Sequence, residues 1–332
     1  MSSTATTLEH AAPPRSGPRS LIHRLRHGDE VAHLLTLIFA ALILLLTSML
    51  VYELWVNSHL SRSKFGMMFF LTRVWDPVFG DFGALPFIYG TLVTSAVALV
   101  IAVPLGLAAA IFLSELAPRK ISDTISFLID LLAAVPSVIY GLLGIFIVVP
   151  LMRTEIGPHL IKWFGHIPYL GVLFKPPNYG VGFFTAGIVL AIMVVPFIIS
   201  VSREVLLTVP REQREAALAL GATRWESTWK VVVPWARTGI LGSIFLALAR
   251  ALGETMAVTM VIGNDPKISM SLFAPGHTIA AVIANEFTEA SGDLYLSALI
   301  ELGLVLFLMT FILNGLARIL IVATERGGGQ PA

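Results

Sequence analysis

Residues 34–52 read LLTLIFAALILLLTSMLVY, without one Asp, Glu, Lys or Arg. A bilayer core about 30 Å thick is crossed by roughly 20 mainly apolar residues in a helix, so this stretch is a transmembrane helix. Outward from it, residues 82–114, 131–152 and 176–202 are equally free of charge. Residues 238–264 and 294–317 are apolar except for Arg250, Glu254 and Glu301. The pattern predicts an all-α integral membrane protein of six transmembrane helices, at about 34–56, 85–115, 125–152, 178–203, 238–263 and 295–318. They form one membrane domain, 33–323, between a disordered tail at 1–32 and a short tail at 324–332.

Composition supports this and excludes a soluble enzyme. Charged residues make up 13% of the chain and hydrophobic ones 56%, against about 25% charged in soluble domains; mean hydropathy is +0.83. The absence of cysteine removes thiolate metal sites, disulfides and cysteine nucleophiles. No sustained basic surface with interleaved aromatics exists, so nucleic acid is not a partner. The first apolar stretch lies too far from the start, and is too long, for a cleaved signal, and is expected to be retained. If the N-terminus is cytoplasmic, 14 Lys and Arg fall inside and 7 outside, so the positive-inside rule places both termini in the cytoplasm.

The external loops are then 57–83, 153–175 and 265–293. On the cytoplasmic side 119–123 is a tight turn and 203–237 a long loop. Pro104, Pro136 and Pro196 fall inside spans, where proline kinks a helix; ordinary packing and a hinge are both open. Gly141 and Gly144 offer close helix approach, although their spacing is not the four-residue pattern of membrane dimers.

The loop 203–237 is patterned for helix. Pro210 precedes an Ala, Leu, Glu and Arg-rich run, and Gly221 stands where a helix C-terminal glycine belongs. Thr223 and Glu226 have capping-box spacing for a second short helix that Pro234 is expected to stop. Within it, Glu215-Ala216-Ala217, Gly221 three residues on, and Val231-Val232-Val233-Pro234 after nine more resemble the EAA loop of ABC importer permeases. The resemblance implies a type I ABC importer permease fold, in which the coupling loop 207–235 docks a helix into a groove on a cytoplasmic ATPase. Glu215, Ala216, Ala217, Gly221 and Pro234 would carry the coupling. No Gly-Lys dipeptide is present, hence no P-loop; the resemblance assigns ATP and Mg to the partner ATPase and leaves this chain without a cofactor or metal.

Charges inside the membrane mark function by default, since a central Arg costs roughly 2.5–3.5 kcal/mol on insertion scales. Arg250 and Glu254 are spaced i, i+4, within reach of each other on one helix. A structural ion pair and a guanidinium lining an anion pathway are both open. Glu301 and Asp130 are further candidate partners for Arg250, and His277, after Pro275-Gly276, is expected to belong to a turn.

A narrower resemblance rests on Arg250-Ala251-Leu252-Gly253-Glu254-Thr255-Met256-Ala257-Val258 and Ile262-Gly263-Asn264. It continues through Ala274-Pro275-Gly276-His277-Thr278-Ile279, Ala284-Asn285-Glu286-Phe287 and Ala298 to Leu304, with 133–141 in the third span of the same type. These blocks look like the PstC-type permeases of phosphate-specific ABC importers. That implies a heterodimer with a sister permease PstA, two copies of the ATPase PstB, a periplasmic phosphate-binding protein PstS, and transport by alternating access within membrane lipid. Arg250, Glu254 and Glu301 would line the substrate pathway. One guanidinium does not distinguish tetrahedral oxyanions, so a sulfate or molybdate permease and an ATP-independent anion transporter stay open at this level, as does an additional signalling role.

Overall fold

A computed structural model describes residues 29–327, and no β-strand forms among them. The residues fall into two units, Met1–Glu53 and Leu54–Ala332. The described part of the first is helix α1 (Asp29–Asn57), which continues into the second unit. The tail expected at 1–32 lies mostly outside the described residues, as does most of the tail expected at 324–332; α1 already begins at Asp29, and the last helix runs to Gly327.

The second unit contains α2 (His59–Phe65), α3 (Leu85–Leu116), α4 (Arg119–Ala133), α5 (Ser137–Phe164) and α6 (Phe183–Leu207). There follow α7 (Arg211–Ala219), α8 (Arg224–Leu252), α9 (Met256–Ile262), α10 (Ile279–Glu286) and α11 (Asp293–Gly327). Six helices among the described residues are long and apolar enough to cross a membrane: α1, α3, α5, α6, α8 and α11. The number matches the sequence pattern, but two of the positions do not.

The third expected span, 125–152, is divided. Val135 precedes Pro136, and a residue before proline is driven out of the helical region by the ring; α4 therefore ends at Ala133 and α5 starts after Pro136. The membrane-length helix is Ser137–Phe164. It takes in Arg153, Glu155 and Lys162, which the charge pattern had put in a loop. The tight turn expected at 119–123 is instead the first part of α4, which lays Ile125 and Ile129 on the bundle. The fifth expected span, 238–263, is shifted in the same way: α8 begins at Arg224 and ends at Leu252, and residues 256–262 form the separate helix α9.

Among the described residues, π-turns at Gly144–Val148, Met152–Ile156 and Thr228–Val232 interrupt helices and one at Phe112–Leu116 ends α3. Each ends two residues before a proline: Pro118, Pro150, Pro158 and Pro234. Proline has no N–H for the carbonyl four residues back, and its ring collides with that carbonyl. A turn with bonds to the fifth residue back inserts one residue and moves the carbonyl aside. Pro234 thus does not stop a helix as expected; it sits in the first turn of Val233–Leu252, where its missing N–H costs least. Pro104 and Pro196 lie within α-helix without such a turn.

Among the described helices of the second unit, α6 is the most enclosed: Leu190, Met193, Val194 and Ile198 are buried against Ala98 and Ala102 of α3 and Ala247 of α8. Lipid tails are as apolar as leucine, so helices associate in a bilayer by close packing, for which small residues are suited. The alanines of α3 serve that seam. Gly141 and Gly144 bring α5 against Ala257, Met260 and Val261 of α9. The outward side chains are large and apolar, with Val100, Phe146 and Phe311 each about 70% exposed or more, the reverse of a soluble surface.

Candidate functional site

The loop after α6 builds the first candidate site. Pro210, with ψ 141°, turns the chain out of α6 and caps α7. No residue of α7 is buried; Glu215 and Ala216 are exposed and Ala217 is half-buried. The helix stops by the expected device. Gly221 adopts φ 86°, its N–H donates to the Leu218 carbonyl at 3.0 Å, and the Ala222 N–H donates to that of Ala217 at 3.2 Å. This pairing is a Schellman motif, and it favours glycine because the left-handed position strains a Cβ. The expected capping box is also formed: Thr223 Oγ1 accepts from the Glu226 N–H at 3.2 Å, and Glu226 Oε2 accepts from the Thr223 N–H at 3.0 Å.

What holds α7 in place was not foreseen. Arg214 donates through Nε and Nη2 to both oxygens of Glu115, at 3.0 and 2.8 Å. It also donates to the carbonyls of Leu206, at 2.8 Å, and Val209. The Glu115 side chain is only 9% exposed and that of Arg214 21%. A planar, two-pronged guanidinium pairs with a carboxylate at fixed orientation, so α7 is fastened to the end of α3. Nothing in the local sequence marks a pairing across 99 positions. A neighbouring link joins α4 to α6, where Ser200 Oγ donates to Asp130 Oδ1 at 2.8 Å. The exposed rim of the loop carries Leu220, 90% exposed, together with Trp225 and Trp229.

The second candidate site, Arg250 with Glu254, is not an ion pair. Gly253 ends α8, so the two residues no longer share a helix face. Glu254 Oε1 instead accepts from the Ala257 N–H at 3.1 Å, at the start of α9, where the helix dipole favours a carboxylate. Arg250 is exposed, its guanidinium 5.7 Å from the Phe197 ring centroid. Among the described residues no carboxylate lies within ion-pair distance of it. The two further candidate partners are engaged elsewhere: Asp130 with Ser200, and Glu301 on the side of α11 that faces α2. There Ser297 Oγ accepts from the Ser61 N–H at 3.2 Å and donates to the Asn57 carbonyl at 2.9 Å. Glu301 is 2% exposed, and its Oε2 has no hydrogen-bond partner.

At the opposite end of the bundle from the loop, Glu286 Oε2 accepts from Trp75 Nε1 at 2.8 Å and from the Tyr295 hydroxyl at 2.6 Å. Trp75, Phe82, Phe87 and Tyr295 pack there edge to face or stacked. His277 is more than a turn residue: it is 3% exposed, with its ring edge-on to Phe87. Burial lowers its pKa to about 4, so it is neutral at pH 7. No group of three or more His, Asp or Glu suited to a metal ion occurs among the described residues.

Comparison with known proteins matches residues 102–325 to the family of binding-protein-dependent transport system inner membrane components. A phosphate transport system permease protein PstC of Mesorhizobium japonicum is 46% identical over 98% of this chain and 99% of its own length. A second, from Pasteurella multocida, is 49% identical over 89% and 92%. Among solved structures, an inward-facing MetNI methionine ABC transporter chain aligns with TM-score 0.54 and 16% identity, over 76% of this chain and 99% of that one. A chain of a bacterial ABC transporter that imports alginate aligns with TM-score 0.55 and 15% identity, over 89% and 98%. The expected permease architecture is therefore the observed one, and the chain belongs to the binding-protein-dependent transport system inner membrane component family, as a transport subunit and not an enzyme.

Proposed function

We propose that this chain is one permease subunit of an ATP-driven importer that moves inorganic phosphate across the cytoplasmic membrane by alternating access. The observation that carries it is α7: an exposed helix, ended by a Schellman turn and fastened to the bundle through Arg214 and Glu115. Nearly full-length similarity to phosphate permeases supplies the cargo. In this reading α7 faces the cytoplasm, as the excess of Lys and Arg on that side favours, and both termini lie there too. Two copies of an ATPase of the PstB kind bind ATP and Mg and receive α7 and its counterpart on a sister permease of the PstA kind. A phosphate-binding protein of the PstS kind delivers cargo to the external loops. ATP-independent transport would leave α7 without a task, and sulfate or molybdate is not the cargo of the relatives cited.

The pathway charges are Arg250, Glu254 and Glu301. Arg250 offers an unpaired guanidinium to an oxyanion, Glu254 orients α9 beside it, and Glu301 contributes a buried carboxyl. Proteoliposomes holding this chain with its partner subunits and binding protein are expected to take up phosphate, and not sulfate or molybdate, only with ATP. Arg250→Ala is expected to slow that uptake about tenfold or more, the cost of one charge-assisted contact. Uptake without ATP, or a preference for sulfate, would overturn the reading.

Glu215 tests the coupling separately. It stands i, i+4 from Arg211 on α7 and lines the same cavity as Arg119, Arg214 and Arg224. Glu215→Lys places a further cation among these arginines and is expected to abolish ATP-driven uptake. Because the side chain is exposed, the variant should still insert and purify in normal yield. Normal uptake by a Glu215→Lys complex would remove the coupling role.

A further inference from the structure

The end of α3, the start of α4 and α7 border an open cavity of about 830 Å³, on whose rim Arg119, Arg211 and Arg224 are exposed. Its lining includes Arg119, Arg203, Arg211, Arg214 and Arg224, against the acids Glu115, Asp123 and Glu215. Two of the five arginines are already in ion pairs: Arg214 with Glu115, and Arg203 with Asp123 at 3.6 Å and Glu204 at 3.1 Å. Arg119, Arg211 and Arg224 form no ion pair among the described residues. Of the acids that line the cavity, Glu215 is the one outside an ion pair among the described residues. We infer that this cavity binds a phosphate-class anion, held by Arg119, Arg211 and Arg224.

The chemistry selects the ligand class. Three guanidinium groups from three helices present forks of N–H donors around one space, a set that suits the oxygens and charge of a phosphate better than a single carboxylate. Arg119 and Arg211 are the first residues of α4 and α7, so the positive ends of two helices reinforce the field. The volume exceeds that of inorganic phosphate and admits a phospholipid headgroup, and the cavity opens where the membrane-length helices α3 and α6 end. Free phosphate and an anionic lipid share this chemistry, and either would bridge α7 to α4 and bias the position of the coupling helix. The inference rests on the proposed function only for the side of the membrane on which the site lies.

The test uses the full-length chain. In phosphatidylcholine nanodiscs, equilibrium dialysis measures binding of radiolabelled inorganic phosphate; after purification with phosphatidylglycerol present, native mass spectrometry measures retained lipid. One bound anion per chain is expected by one of the two routes, and which route responds identifies the source. Arg119→Gln/Arg211→Gln/Arg224→Gln is expected to weaken binding at least tenfold, and Glu215→Gln to strengthen it. If the triple variant does not fold, Arg224→Gln alone is expected to weaken binding several-fold, since Arg224 is an exposed side chain. The cavity's share of binding is the part that the triple variant loses and Arg250→Ala keeps, since Arg250 does not line the cavity; this separates the site from the transport pathway and lets either proposal fail alone. Absence of binding of both anions at millimolar concentration would overturn the inference. So would undiminished binding by the triple variant. Loss of the ATPase subunit from the triple variant, with no anion bound by the unaltered chain, would assign the arginines to an acidic protein surface and overturn it too.

Discussion

Arg214→Ala is expected to cost about 3–5 kcal/mol of stability, the penalty for leaving a buried charge without its partner. Glu115 is 9% exposed and takes two hydrogen bonds from Arg214, and with Arg214 gone no other cation among the described residues is in ion-pair distance of it. The carbonyls of Leu206 and Val209 lose their donor as well. Thermal unfolding of the purified chain in detergent measures the loss, and ATP-driven uptake by the assembled complex should fall with it, because α7 is no longer fastened to α3. The double variant Glu115→Leu/Arg214→Met removes both charges and is expected to regain much of the stability, while the coupling stays impaired. Additive losses, with the double variant worse than either single one, would show that the pair contributes nothing jointly.

The second large effect is expected at Gly90. A Cβ built there lies 2.0 Å from the carbonyl oxygen of His277 and 3.3 Å from the ring of Phe183. The neighbour is backbone, and the segment is pinned nearby, since the Ile279 N–H donates to Thr91 Oγ1 at 3.0 Å. Gly90→Ala must therefore push the segment before α10 away from α3, with an overpacking cost of about 1–3 kcal/mol or more. Gly242→Ala is the control, because nothing lies within 4 Å of its Cβ. Melting midpoints in detergent should fall for the first variant and stay level for the second; equal midpoints would mean that the close approach of α3 and residue 277 is not rigid.

Much of the site was legible because it is written in short-range chemistry. The Schellman glycine at 221 and the capping box of Thr223 and Glu226 each depend on residues within a few positions of one another, and both are formed as expected. The helix breaks were less legible. A run of apolar residues does not reveal that Pro136 divides it, or that α8 ends at Gly253 and separates Arg250 from Glu254. The rule that a proline stops a helix failed at Pro234, because a π-turn just before it removes the clash and lets the short helix at Arg224 run continuously to Leu252.

By itself the sequence determined that the chain has six helices long and apolar enough to cross a membrane, and where the loop after α6 turns. These follow from length, hydropathy and caps, all properties of neighbouring residues. The tertiary structure decided that Arg214 meets Glu115, that Asp130 meets Ser200, that Glu301 faces α2, and that three arginines without acidic partners share one cavity. Such pairings depend on which helix faces touch and at what height. In a bilayer those are set by the fit of small against large side chains along each seam, and not by hydrophobicity, which is nearly the same on every face.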